Sequence, residues 1–215
     1  MKLTKWLTAF GFLSLWPLTS LGQAAFLKDI NGQIIFANKY TDVQGSPYLN
    51  DAWTVGSVTS LNDKVYSGLK VRFDAYAGEL EYEDKGKPYR LTASQIKGFS
   101  MLNGVDTLRF VSVAAGPGNP FYQLLYDGPI KLLKQTKVNV MELQVYNSAT
   151  KTKEFSKAEQ YFAMKSDGSL HKLQRSRKAL AALFPEKKDL IEKASRENNL
   201  SEEPGLINAF AVINQ

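Results

Sequence analysis

The chain has 215 residues, with 27 Lys and Arg against 21 Asp and Glu, a formal charge of +6, no Cys and one His. The absence of thiols rules out disulfide scaffolds and cysteine nucleophiles, and a single imidazole leaves no basis for the usual multi-ligand zinc sites. An aromatic share of 12% suits the faces of a sheet and a binding surface equally well.

Lys2 and Lys5 precede an apolar run from Trp6 to about Leu15, and small residues follow. This reads as a secretory signal peptide covering residues 1–24, with cleavage after Gly22 or Ala24. Pro17, Thr19, Ser20 and Gln23 interrupt the run before it reaches the roughly 20 apolar residues of a membrane anchor. Residues 25–215 are expected to form a single β-rich domain with a helical end over 176–214, large enough for a substantial core. The charge is uneven: residues 128–188 carry 13 basic against 5 acidic side chains, while residues 24–127 carry 10 against 11. Either a solvated, lysine-rich sheet face or a surface facing anionic headgroups or an acidic partner accounts for that excess. Nucleic acid is a poor match for an exported chain.

Asn31-Gly32 between Phe26–Ile30 and Gln33–Ala37 predicts a first hairpin. Residues 40–53 have no sustained period and contain Gly45 and Pro47, which predicts an ordered loop. Its aromatic residues, Tyr48 and Trp53, serve either as a lid on the sheet or as a contact surface. Val55–Leu61 and Lys64–Tyr66 flank an Asn62-Asp63 turn. The clearest alternation follows, with Leu69, Val71 and Phe73 against Lys70, Arg72 and Asp74, then Leu80 and Tyr82 against Glu79, Glu81 and Glu83. Period two and the intervening Ala77-Gly78 predict an antiparallel hairpin with its glutamates on the wet face.

Further strands are expected over Pro88–Phe99, Thr107–Val113, Phe121–Tyr126, Ile130–Lys134, Lys137–Tyr146, Glu159–Lys165 and Leu170–Leu173, separated by turn residues such as Asn103-Gly104, Asp127-Gly128 and Asp167-Gly168. The glycine- and proline-rich Ala114–Pro120 lacks a phosphate-loop signature. At Ser176 the period changes to that of helices. Ser176 is a candidate cap for a helix bearing Ala179, Leu180, Leu183 and Phe184; Pro185 opens a second with Leu190, Ile191 and Ala194, and Ser201 a third with Leu206, Ile207, Phe210 and Ile213. The fold class is therefore mainly β with C-terminal helices (α+β): an antiparallel meander forming a sandwich or open barrel, then two or three short helices.

Chemistry is scarce. His171 has no evident partner, and no G-x-S-x-G elbow is present. Glu79, Glu81, Glu83 and Asp84 form the densest acidic group, without the spacing of a calcium loop. Lys172, Arg175, Arg177 and Lys178, with Lys187 and Lys188, gather at the strand-to-helix junction with no acid between Asp167 and Glu186. They are the best candidate for electrostatic docking.

Gln33–Trp53, Gly56-x-Val58, Leu69-x-Val-x-Phe-Asp-x-Tyr76, Phe121-Tyr-x-x-Leu125 and Leu183-Phe-Pro-Glu-Lys-Lys188 resemble a group of small exported proteins of Bacteroidota. The resemblance implies a β-rich body with a helical end. It implies no reaction, cofactor or catalytic residue.

The expected function is an exported, non-enzymatic binding or assembly component of the periplasm, cell envelope or exterior. Tyr48, Trp53, Lys172, Arg175, Arg177 and Lys178 would form its contact surface toward an envelope protein or an anionic surface. No cofactor, metal, nucleic acid or membrane-spanning helix is expected. The alternative is a carrier whose curved sheet encloses a lipid or other apolar ligand; a hydrolase built on two facing carboxylates comes third.

Overall fold

The computed structural model describes residues 33–34, 40–113, 121–144 and 151–215. The expected signal peptide, the expected turn at Asn31-Gly32 and the expected loop at Ala114–Pro120 lie outside these residues. The described strands are β1 (Gln33–Ile34), β2 (Thr54–Ser60), β3 (Val65–Asp74), β4 (Glu79–Asp84), β5 (Lys87–Leu91), β6 (Ile96–Asn103), β7 (Asp106–Ser112), β8 (Phe121–Tyr126), β9 (Lys131–Gln144), β10 (Lys151–Met164) and β11 (Leu170–Leu173). They form one 11-stranded sheet in the order β1-β5-β4-β3-β2-β6-β7-β8-β9-β10-β11. Every pair is antiparallel. The sheet is neither closed edge to edge nor divided into two hydrogen-bonded layers.

The period-two pattern makes one face apolar. Leu80, Tyr82, Val71, Phe73, Val58, Phe99, Met101, Phe110 and Phe121 lie on it, all buried. The registers Val71↔Tyr82, Val58↔Phe99 and Phe99↔Phe110 carry this inner face from strand to strand. The sheet curls around it far enough that Val138 and Phe155, from β9 and β10, join the same core as Phe73. The Val138 amide lies 3.4 Å from the Ala75 carbonyl, so β9 meets the end of β3 although four strands separate them in the sheet. Phe73, Phe99, Phe110 and Phe121 fill the curl with ring centroids 4.5 to 6.0 Å apart, within the range of favourable aromatic packing.

Residues 40–53 close the mouth of this curl. Gln44 exchanges backbone hydrogen bonds with Lys153 and Phe155 of β10, and three residues later Pro47 and Leu49 bond to the end of β3. Asp74, fully buried, accepts from the amides of Tyr76 and Ala77 at the turn into β4 and from the Tyr40 hydroxyl at 2.7 Å. Gly78, at φ 72°, completes the reversal at a backbone angle that residues with a Cβ rarely adopt.

The expected elements appear with three differences. The strand expected over Pro88–Phe99 is two, β5 and β6, because the chain turns at Thr92–Gln95, where the Gln95 amide donates to the Thr92 carbonyl and the Thr92 amide to Gln95 Oε1. Val65–Asp74 is one continuous strand, in which Gly68 adopts positive φ without breaking the run. β9 and β10 are each 14 residues long, where shorter strands are expected. The first half of β10 contains Lys151, Lys153, Glu154 and Lys157, which hide the alternation: there one face is solvated and Phe155 is the buried residue.

Helices follow at α1 (Arg177–Leu183), α2 (Lys188–Glu197) and α3 (Glu203–Ile213), with a 3-10 turn at Pro185–Lys187. Ser176 caps α1 as expected, accepting from the Ala179 amide. The helices bury Leu180, Ile191, Ala194, Leu206, Phe210 and Ile213 against Leu132, Tyr161, Ala163 and Leu173 of the inner face beyond the curl.

Candidate functional site

Alternation sends Lys70, Arg72, Glu79, Glu81, Glu83 and Arg90 to the outer face of β3, β4 and β5. The hairpin register sets Lys70 opposite Glu83 and Arg72 opposite Glu81. The side chains follow: Lys70–Glu83 at 2.9 Å, Arg72–Glu81 at 2.7 Å and Arg90–Glu79 at 3.3 Å. The glutamates share a face as the sequence predicts; Glu83 and Glu79 keep partial exposure on it, but Glu81 is only 1% exposed.

The 40–53 loop supplies the cover. The Arg72 guanidinium lies 3.7 Å from the centroid of the Tyr48 ring and 4.5 Å from that of Trp53. Its Nη2 donates to the Tyr48 hydroxyl at 2.9 Å and to Glu81 Oε2, and its Nε donates to the same oxygen at 3.1 Å. Arginine fits this slot because a planar, weakly hydrated cation stacks on rings while bonding in its own plane. Burial, with Glu81 and Asp74 nearby, pushes the Tyr48 phenol up to about 12, Arg72 pulling the other way. Tyr48 and Trp53, expected as lid or contact surface, cover the Arg72–Glu81 ion pair and stand at the rim of the sheet.

That rim is partly apolar. Trp53, Leu102, Gly104 and Lys157 line a shallow cavity of about 520 Å³ with the backbone turn at residues 49–54. Beside it, Val55 is 55%, Leu102 40% and Val105 98% exposed. Lys157 donates from Nζ to the Leu49 carbonyl, and Asn50 to Asn103, so the loop is tied to both neighbours of the cavity.

The junction residues occupy a different part of the sheet and are not brought to Tyr48 and Trp53. Lys172 pairs in register with Phe162 and is exposed on the outer face. Arg175 stacks over the Tyr161 ring at 4.9 Å. Arg177 and Lys178 lie on α1, where with Lys188 they edge a groove against α2. Between the groove and the aromatic core, Lys134 pairs with Glu203 at 2.7 Å, and Tyr161 donates to the same carboxylate at 2.8 Å. This network joins α3 to β9 and β10.

Sequence reading singles out the loop aromatics but misses Arg72 as their partner. The signal is present: once Ala77-Gly78 is placed at the turn, the register puts a cation opposite each of two glutamates. His171 contacts Ser169 Oγ at 3.1 Å, and among the described residues no group of three or more acids or histidines is arranged to hold a metal. Among the described residues no helix is long and apolar enough to cross a membrane. No family model matches the chain, and no curated protein or solved structure shows significant similarity to it.

Proposed function

We propose that the protein is an exported, non-enzymatic binding or assembly component of the cell envelope, its curled sheet an open barrel that serves as scaffold. The carrying observation is the allocation of apolar surface. The interior of the curl is taken up by Phe73, Phe99, Phe110 and Phe121, which pack on one another. The rim at Trp53 instead leaves Val55, Leu102 and Val105 exposed beside a cavity. Rings anchored by stacking and flanked by unburied aliphatic side chains suit a protein partner, because little entropy is lost when they are covered. The packed rings weigh against a carrier of apolar ligand, and the cation matched to each of Glu79, Glu81 and Glu83 weighs against a carboxylate hydrolase.

The test is a photocrosslinking residue in place of Leu102 or Val105 in cells that export the protein. A discrete adduct is expected from either site, lost with Trp53→Ala and absent when the crosslinker replaces exposed Asn208 on α3. Identical adduct patterns from the rim and from position 208, or none from the rim, would overturn the reading.

A further inference from the structure

The groove between α1 and α2 sets basic side chains around an apolar floor. It measures about 360 Å³ and is lined by Arg177, Lys178, Ala181, Lys188, Ile191 and Glu192. Ala181 and the buried Ile191 make an apolar floor, and three cations edge it. The neighbouring cations are engaged: Arg175 stacks on Tyr161, Lys165 lies over the Phe184 ring, and Arg196 holds Glu192 at 2.5 Å. Arg177, Lys178 and Lys188 make no ion pair among the described residues. The groove's one acid is thus neutralised by Arg196 while its three cations remain available.

An apolar floor under an excess of positive charge is complementary to a chain with an anionic head. A bare anion gains nothing from Ala181 and Ile191, and a neutral chain gains nothing from the cations. The volume lies at the small end of ligand sites, which suits a headgroup and the first part of one chain. We infer that this groove binds a single-chain amphiphile with an anionic headgroup, giving the protein a second contact within the envelope. The inference rests on the envelope reading above and names the partner chemistry of the basic junction.

Dodecyl phosphate, kept below its micelle concentration and titrated calorimetrically into the purified chain, is the probe. Saturable binding is expected, with inorganic phosphate and dodecyl maltoside each at least about tenfold weaker, the spread that a difference of about 1.4 kcal/mol produces. Arg177→Glu with Lys178→Glu should weaken binding by at least the same factor. Ala181→Phe, which fills the floor and keeps every charge, should do likewise; Ala181→Leu is the milder variant if the melting temperature of the first falls. Equal binding of inorganic phosphate, equal binding of the maltoside, or affinity unchanged in the variants would each overturn the inference. So would an acidic peptide that displaces the probe and ignores Ala181→Phe, since that outcome assigns the cations to a protein partner. Rim adducts without amphiphile binding would refute this inference alone; amphiphile binding without rim adducts would refute the proposed role of the rim alone.

Discussion

Arg72 owes its place to three groups at once: Glu81 in its plane and the Tyr48 and Trp53 rings beside it. Breaking a buried pair from one side leaves the remaining charge where water does not reach. Arg72→Met should therefore lower stability by about 3–5 kcal/mol in urea denaturation, and adding Glu81→Met should restore most of that loss. A double variant as unstable as the single one would show that ring stacking, not the ion pair, holds the loop. Tyr48 adds a pH dependence. The folded protein keeps its phenol protonated from the ordinary 10.0 to about 12, while the unfolded chain releases the proton near the lower value. Stability is then full below pH 10 and falls as pH rises through that window. Tyr40 and Tyr161 shift the same way, through burial and then the Asp74 and Glu203 carboxylates. The urea midpoint should drop with tyrosinate absorbance above pH 10, and less steeply in Tyr48→Phe.

The elements differ in how openly the sequence declares them. β3 and β4 are legible because Leu69, Val71, Phe73, Leu80 and Tyr82 face the core while Lys70, Arg72, Glu79, Glu81 and Glu83 alternate with them. Ser176 is legible because an unpaired helix amide needs an acceptor there. The first half of β10 is not, since its register is set by β9 and by Gln44 rather than by its own side chains. Of the candidate site, the loop aromatics and the basic junction can be read along the chain, whereas Arg72 and the α1–α2 groove exist only once the sheet and helices are assembled. Asn214, past the end of α3, is equally hidden. Its Oδ1 accepts from the Ile130 amide at 2.8 Å and its Nδ2 donates to the Ile130 carbonyl at 3.0 Å, as a neighbouring strand would. Gly128 keeps this approach open, for a Cβ there would lie 3.1 Å from Asn214 Oδ1. Asn214→Ala should cost about 1–2 kcal/mol and raise amide exchange at Ile130; unchanged exchange there would mean that the apolar contacts of α3 dock it unaided.

At the scale of the whole molecule, one sheet carries two cores on its inner face, the aromatic curl and the helix-covered end. Lys134, Gln123 and Thr136 lie between them, with Lys134 ion-paired to Glu203. The curl depends on Phe155, whose ring meets Tyr40 and Tyr76 edge to face at 5.5 and 5.3 Å. Phe155→Ala should cost about 3–5 kcal/mol and release protection at Gln44 and Val138 before that at Leu132. Loss of protection at all three together would show that the two cores do not open separately. The contact of Gln44 with Phe155 also has a kinetic meaning. Most strand pairs here join neighbours in sequence and close short loops, whereas this one waits until more than half of the chain has been ordered between its ends. A contact that forms after the rate-limiting barrier acts on the unfolding rate rather than the folding rate, and the long closure places this one there as a prediction. The lid segment should therefore set how long a folded molecule lasts rather than how fast it forms: Phe155→Ala should accelerate unfolding and leave the refolding rate nearly unchanged.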